Sequence, residues 1–473
     1  MRVIKNYLYN AAYQVFILIV PLVTTPYLSR VLGPTGVGIN SYTNSIIQYF
    51  ILLGSIGVNL YGNREIAYVR EDKSKLSQTF YEIFLMRSVA VIISYIAFLI
   101  FLSFMNQYNG YYLAQSVSLI AVMFDISWFF MGVENFLITV LRNFIVKIIT
   151  LILIFTMVKS SNDLIIYILI LSLSLLLGNM TLFPSLKHYI GLPNFKSMKI
   201  KRHIIPSIML FAPQVAIQVY SVVNKTMLGA MISVQAAGYF EQSDKIVKMV
   251  LAIVTATGTV MLPHVSNAYV KGEHEKTRTY LYKSFSFVTA ISIPMFFGLS
   301  AVTPKFVPLF FTSKFVEVVP LMTIESIVIL LIAWSNVIGS QYLLPTQQTK
   351  SYTISVVLGA VVNIIVNIPL IIVFGSEGAI IATVLSEITV TGYQLFVIRK
   401  QINYGSLFED FYKYLISGFI MFCIIRYLNY ALAGTWSMII LQVLVGIIVY
   451  VILMLIFKAN IIRDAKRITN INK

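Results

Sequence analysis

The sequence predicts an all-α, polytopic membrane protein with about fourteen transmembrane helices. Two observations carry this. The 473 residues are 58% hydrophobic and only 11% charged, with a mean hydropathy of +0.84; soluble domains are closer to half apolar and a quarter charged. Long apolar runs also recur along the whole chain between short polar breaks. Fourteen spans of about 22 residues would use roughly two thirds of the chain, leaving only short loops.

The runs place spans at 7–29, 39–61, 79–104, 111–131, 135–157, 163–187, 204–231, 241–262, 280–302, 317–343, 351–374, 377–399, 410–430 and 434–457. Backbone groups in lipid must be bonded within their own segment, so each run is read as a helix. Barrel strands would be shorter and would alternate in polarity. The first run follows Arg2 and Lys5 and continues through Pro21 to about Leu28, too long for the core of a cleavable signal.

The net charge of +17 is topological rather than a nucleic-acid footprint. Even-numbered loops and the two tails hold 24 Lys and Arg, whereas the opposite loops hold 4: Arg30, Lys159, Lys305 and Lys314. That bias puts both termini on the cytoplasmic side. The single cysteine, Cys423, excludes an internal disulfide. His188, His203, His264 and His274 lie near loops without metal-ligand spacing, so no metal site is expected. No loop is long enough for a catalytic domain, and no nucleotide-binding glycine loop is present, so neither an enzyme nor direct ATP drive is expected.

The largest inner loop divides the first twelve spans into six and six. The expected organisation is a six-helix lobe at 1–190, a cytoplasmic linker at 191–203, a second lobe at 204–400, and two extra helices with a tail at 401–473. A faint repeat relates Val31-Leu32-Gly33 and Gly38 after span 1 to Met227-Leu228-Gly229 and Gly238-Tyr239 after span 7. Six is even, so the lobes would be parallel repeats about an axis along the membrane normal, a transporter architecture.

Charges within the spans are costly and need a partner or a wet cavity. The bases are Arg87, Arg142, Lys147, Lys225, Lys245, Lys248 and Arg426; the acids are Asp125, Glu241, Asp244, Glu325 and Glu387. Arg87, Lys248 and Arg426 lie where snorkelling or simple pairing would serve them. Arg142 and Lys147, five apart, are separated by about 140° around span 5. Asp125 lies at similar depth, and pairing with either is the structural reading. The functional reading is a cationic wall that, with Arg87, receives an anionic group, faced by Lys225 from the other lobe. In the second lobe Asn363 and Asn367 share one face of span 11, and Thr383 and Glu387 share one face of span 12. With Asn224 they offer oxygens for Na⁺ or a carboxyl for H⁺; plain interhelical hydrogen bonding is the other reading. Glu325 is the lone acid of span 10, paired with Lys225 or another base, or protonatable. Pro26 and Pro213, in the first helix of each lobe, are candidate hinges, with static kinks as the alternative. Tyr42, Tyr49 and Tyr220 are aromatic candidates for lining a cavity.

Pro21-Leu22-Val23-Thr24-Thr25-Pro26-Tyr27-Leu28-Ser29-Arg30-Val31-Leu32-Gly33-Pro34, then Gly38 and Asn63-Arg64-Glu65-Ile66-Ala67, resemble polysaccharide-export flippases of the Wzx type. That superfamily (MOP) also holds the MATE drug antiporters and the lipid II flippase. Trp128-Phe129-Phe130-Met131-Gly132-Val133-Glu134, Gly238-Tyr239-Phe240, Asp244-Lys245-Ile246 and Leu262-Pro263 extend the resemblance to residues 1–400. It implies a MATE-like, two-lobed bundle with a central cavity and alternating access. It also implies a polyprenyl-pyrophosphate-linked oligosaccharide as substrate, for capsule, exopolysaccharide or O-antigen assembly. The setting would be the bacterial cytoplasmic membrane, beside a polysaccharide polymerase and glycosyltransferases. The lipid II flippase and some MATE relatives bind a cation in the second lobe; here Asn stands where acids are expected, which weakens Na⁺ and turns attention to Glu387 as a proton carrier. A MATE-type antiporter and a lipid II flippase are the alternatives. The first should favour acids over bases in its cavity. The second should carry bases in the middle of span 1.

Overall fold

The computed structural model describes residues 2–462; side chains are described from residue 16 onward, except at 17–18, 212–214, 216–217, 219–221, 257–260 and beyond 462. Among these residues the chain is helical throughout, without strands. Ten helical stretches are long and apolar enough to cross a membrane. Two of them, Ile19–Val69 and Thr349–Ile398, have the length for two crossings: 51 residues of helix extend about 76 Å, against about 30 Å of hydrocarbon. The chain divides into two compact units, Met1–Ala230 and Met231–Lys473.

The first unit holds α1 (Arg2–Ser55), α2 (Val58–Val69), α3 (Lys73–Ser103), α4 (Asn109–Met123), α5 (Ser127–Gly132), α6 (Phe136–Met157), α7 (Leu164–Met180), α8 (Phe183–Leu186) and α9 (Lys201–Met231). The break in α1 falls at Gly33, with φ 66° and ψ −179°. Only glycine takes this conformation cheaply. Pro34 excludes an α conformation for the residue before it and suits the first turn of the next arm. The Leu-Gly-Pro of the sequence is therefore the corner between the first two spans. Glycine also sets how closely helices approach around α2 and α5. A Cβ on Gly62 would lie 2.4 Å from the Trp128 ring, and one on Gly132 would lie 2.6 Å from Ile66. The aromatic run Trp128-Phe129-Phe130 closes a core with Val58, Phe80, Ile83 and Leu186. Asp72 caps α3, accepting from the backbone N–H groups of Ser74 and Lys75 at 3.0 and 3.1 Å. Those donations hold its carboxyl below the usual range.

Helix α9, expected to open the second lobe, packs within the first unit. Ser207 donates to the Ile56 carbonyl (2.5 Å), and Ser45 and Thr226 hydroxyls meet at 2.9 Å. Gly229 lies against the Tyr42 ring. The repeat read from sequence is thus not a repeat of conformation: Gly33 breaks its helix, whereas Gly229 is a helical contact glycine.

The second unit holds α10 (Val234–Thr255), α11 (Thr257–Val270), α12 (His274–Phe310), α13 (Val318–Glu325), α14 (Val328–Ser335), a π-helical turn (Asn336–Leu343), α15 (Thr349–Ile398), α16 (Tyr404–Leu407), α17 (Phe411–Ala431) and α18 (Trp436–Ile456). Gly375, with φ 58° and ψ −130°, breaks α15 as Gly33 breaks α1. Helices α17 and α18 are built into this unit's core: Tyr414, Met421, Tyr450 and Met454 pack with Ala290, Ile293 and Leu330. Tyr450 donates to the Ala290 carbonyl at 2.9 Å, and Asn429 donates to Gln442 at 3.0 Å.

A Cβ at Gly33 or at Gly392 would meet nothing within 4 Å. Gly392 is helical, so Gly392→Ala should raise thermal stability in detergent, while Gly33→Ala should lower it by about 1 kcal/mol through backbone strain alone. Equal effects would refute the strained corner. The Asp72 cap is complete above the ordinary Asp pKa and is lost as pH falls through its lowered value. Amide exchange at Ser74 and Lys75 should therefore quicken in acid, and Asp72→Ala should abolish that dependence.

Candidate functional site

The intramembrane cations of the first unit have different surroundings. Arg87 on α3 is 2% exposed. Its guanidinium donates to the Asp125 carbonyl at 2.7 Å and to Asn59 Oδ1 at 3.2 Å, and lies 3.6 Å from the Asp125 carboxylate. Asp125 also accepts from Ser127 N–H at 3.0 Å and from its hydroxyl at 2.5 Å, fixing the turn that opens α5. The partner of Asp125 is thus Arg87, not Arg142 or Lys147. Arg87 is held inside the protein rather than lining a cavity.

Arg142 and Lys147, on opposite sides of α6, diverge as their spacing requires. Arg142 donates to Asn179 Oδ1 of α7 at 2.6 Å, and Asn179 in turn donates to the Ala121 carbonyl of α4 at 2.7 Å. Lys147 lies near the middle of the 22-residue α6 and is exposed. Among the described residues it has no hydrogen-bond or ion-pair partner. An ammonium at that depth demands water or an anion. Lys225 on α9 lies beside Tyr49 and Thr226, in the same unit as Arg142 rather than across from it. Nearby, Gln115 on α4 donates to Asn40 Oδ1 at 3.0 Å and accepts from Asn44 at 3.2 Å, both on the second arm of α1. Pro26 lies within the first arm of α1, and its carbonyl accepts from Arg30 at 2.9 Å. The Pro213 and Tyr220 side chains lie outside the described residues.

In the second unit Asn363, Asn367, Thr383 and Glu387 are all buried on α15. Thr383 donates to the Ala379 carbonyl at 2.9 Å. Neither side-chain polar atom of Asn363 has a hydrogen-bond partner among the described residues, although the residue is fully buried. Ser386, one residue before Glu387, also has an unpartnered hydroxyl. Such orphaned atoms are rare. They leave donors and acceptors for a ligand, and amide and hydroxyl oxygens suit a hard monovalent cation. Asn224 belongs to the first unit. The Ser243 hydroxyl of α10 donates to Glu325.

One polar centre was not anticipated. Glu82, on α3, is buried and accepts from five groups: Gln78 (3.1 Å), the Lys199 backbone N–H (2.8 Å), Arg202 Nε (3.0 Å) and its terminal nitrogen (2.8 Å), and His203 Nε2 (2.7 Å). Glu82, as a carboxylate, takes the proton of His203 Nε2, and the Tyr61 hydroxyl meets the ring's other nitrogen, Nδ1, at 2.7 Å. This cluster fastens the 188–203 loop and the start of α9 to α2 and α3. The signal available in the sequence was an acid just inside a span, with Arg202 and His203 at the start of another.

A family model described as "Polysaccharide biosynthesis protein" matches residues 3–269, more than half of the chain. The chain belongs to this family. The resemblance read from Pro21–Pro34 and the later motifs is thereby confirmed. A putative O-antigen transporter of Escherichia coli (strain K12) is 24% identical over 409 residues, covering 84% of this chain and 96% of the relative. A probable low-salt glycan biosynthesis flippase of Haloferax volcanii is 25% identical over 177 residues, 35% of each chain. Among solved structures, the lipid II flippase MurJ in an inward closed conformation superposes with a TM-score of 0.77 at 18% identity, covering 96% of this chain and all of that one. An inward-facing MATE-family multidrug transporter follows at 0.61 and 11%, covering 81% and 98%. These likenesses establish a MATE-like membrane fold.

Glu82→Ala should destabilise the protein by about 3 kcal/mol, because it strands several buried donors. Tyr61→Phe, which removes one hydroxyl, should cost about 1 kcal/mol. Thermal unfolding in detergent measures both; Glu82→Ala at wild-type stability would show that the cluster does not hold the loop.

Proposed function

We propose that this chain is a flippase that carries polyprenyl-pyrophosphate-linked oligosaccharide repeat units from the cytoplasmic to the outer leaflet by alternating access, for capsule, exopolysaccharide or O-antigen assembly. The observation that carries the reading is Lys147, a mid-membrane ammonium without a partner among the described residues, in the unit that the family model covers. A pyrophosphate crossing a low-dielectric region needs such a charge, and a compact ammonium serves as a point charge for phosphate. Lys225 is a second cation in the same unit. The names of the full-length Escherichia coli relative and the Haloferax volcanii relative support a glycan as the cargo.

The cytoplasmic membrane of a bacterium, with both termini inside, is the setting that the loop charges favour. A polymerase and the glycosyltransferases that build the repeat unit would work beside it. In the second unit, Asn363, Asn367, Thr383 and Glu387 on α15 and Glu325 on α13 are the candidates to hold the coupling cation, Na⁺ or H⁺. Its binding would supply differential stability between the two access states.

The test is a deletion strain assayed for surface polysaccharide and for lipid-linked repeat units on each leaflet. Loss of surface polymer with build-up on the inner leaflet, both restored by the wild-type gene, is the expected result. Unchanged polymer with accumulation of cationic drugs would replace this reading with an antiporter. At wild-type protein level, Lys147→Ala should reduce polymer export at least tenfold, and Lys147→Arg should recover most of it. Full export by Lys147→Ala would remove Lys147 from the substrate path.

A further inference from the structure

Among the described residues of the second unit, Glu325 is a buried carboxyl group within a span that has no cation against it. Glu325 ends α13 and is 1% exposed. The Ser243 hydroxyl of α10 donates to its Oε2. No Lys, Arg or His nitrogen comes within 4.0 Å of it among the described residues. One hydroxyl is a poor substitute for the water around a carboxylate, and a buried acid so placed gains by taking a proton.

The route to Glu325 lies on α10. Asp244, next to Ser243, has 19% of its side chain exposed and bonds Lys248, at 51%, across 2.8 Å. Glu241 and Lys245 stand 4.0 Å apart on the same helix, also partly exposed. These residues fall in the first two turns of the span read from the sequence at 241–262. Exposed charges there are held by water. Water therefore reaches the neighbour of the residue that holds Glu325. Asp244 and Lys248 are the charged groups that act on Glu325 from α10. Helix α12 carries its charges only near its two ends, and α15 brings Glu387 as its one acid in the membrane's interior.

We propose that Glu325 is a proton-binding site, loaded from the water-facing Asp244–Lys248 pair, and that the ion coupled to transport is the proton it carries. A proton from that water reaches Glu325, which holds it on Oε1 while Oε2 stays with Ser243; release reverses this step. Glu387 is then a structural member of the α15 group and not the carrier. The coupling role rests on the flippase reading, whereas the protonation does not.

Infrared difference spectroscopy on the full-length protein in lipid nanodiscs, during a pH jump, reads the carboxylic C=O stretch directly. A buried carboxylic band that disappears in Glu325→Gln, shifts in Ser243→Ala and persists in Glu387→Gln is the expected result. A band that survives Glu325→Gln, or that vanishes in Glu387→Gln, overturns the site. If Glu325→Gln fails to accumulate, Ser243→Ala decides, because it keeps the carboxyl and removes only its donor; an unshifted band then refutes the proposal. In the deletion strain Glu325→Gln should lower polymer export at least tenfold, and full export would overturn the coupling role. The infrared result does not involve the glycan, so a strain without any polysaccharide defect would remove the flippase reading while leaving the proton site standing.

Discussion

Lipid offers no hydrogen bonds, and this single constraint shapes both the backbone and the side chains. A chain that must satisfy every N–H and C=O within its own segment becomes helical almost everywhere. Direction can then change within a continuous helix only where the local conformation itself permits. Gly33 and Gly375 are those places: each has a positive φ, and each interrupts a helix of 50 residues or more. Glycine also governs the opposite situation, where helices come close enough that a Cβ would collide, as at Gly62 beneath Trp128 and Gly132 beneath Ile66. The aromatic-Gly-Glu stretch is in this light a packing device of the first unit.

The same constraint sorts the charges. An ionised group in the membrane either finds a partner, faces water, or gives up its charge. Arg87 with Asp125, and Arg142 with Asn179, follow the first route. The Asp244–Lys248 and Glu241–Lys245 pairs combine pairing with exposure. Lys147 is exposed without a partner among the described residues, and Glu325 has the geometry for the third. Glu82 shows how far pairing goes at the membrane boundary: its two oxygens gather donors from three segments and turn a polar loop into part of the fold.

The sequence made the membrane class and the helical architecture legible because apolar length and loop charge are local properties. The Pro21–Pro34 block was legible because its Gly-Pro corner is specified by backbone conformation. Pairing was not. Arg87 lies 38 residues from Asp125, Arg142 lies 37 from Asn179, and Glu82 lies 121 from His203. Depth along a span does not say which of several neighbouring helices a side chain faces. The one relation that helix geometry did fix, the wide angle between Arg142 and Lys147, is the one the structure follows. The allegiance of α9 was illegible for a related reason. Counting spans suggests six and six, but the hydroxyls of Ser207 and Thr226 and the small face at Gly229 bind that helix to α1.

The contrast between Arg142 and Lys147 bears on which cations can serve a moving anion. Arg142 anchors a relay from α6 through Asn179 to the α4 backbone, so drawing it toward a substrate would leave the Asn179 carbonyl unpaired. That loss offsets much of what a phosphate contact would contribute. Lys147 has no such relay among the described residues, and its flexible four-carbon stem can follow a charge as it passes. A transported pyrophosphate must be bound and then released, so a cation with nothing to break on binding and nothing to rebuild on release suits the task. Two basic residues one and a half turns apart on one helix thus have different uses, and the difference comes from the direction each faces rather than from its chemistry alone.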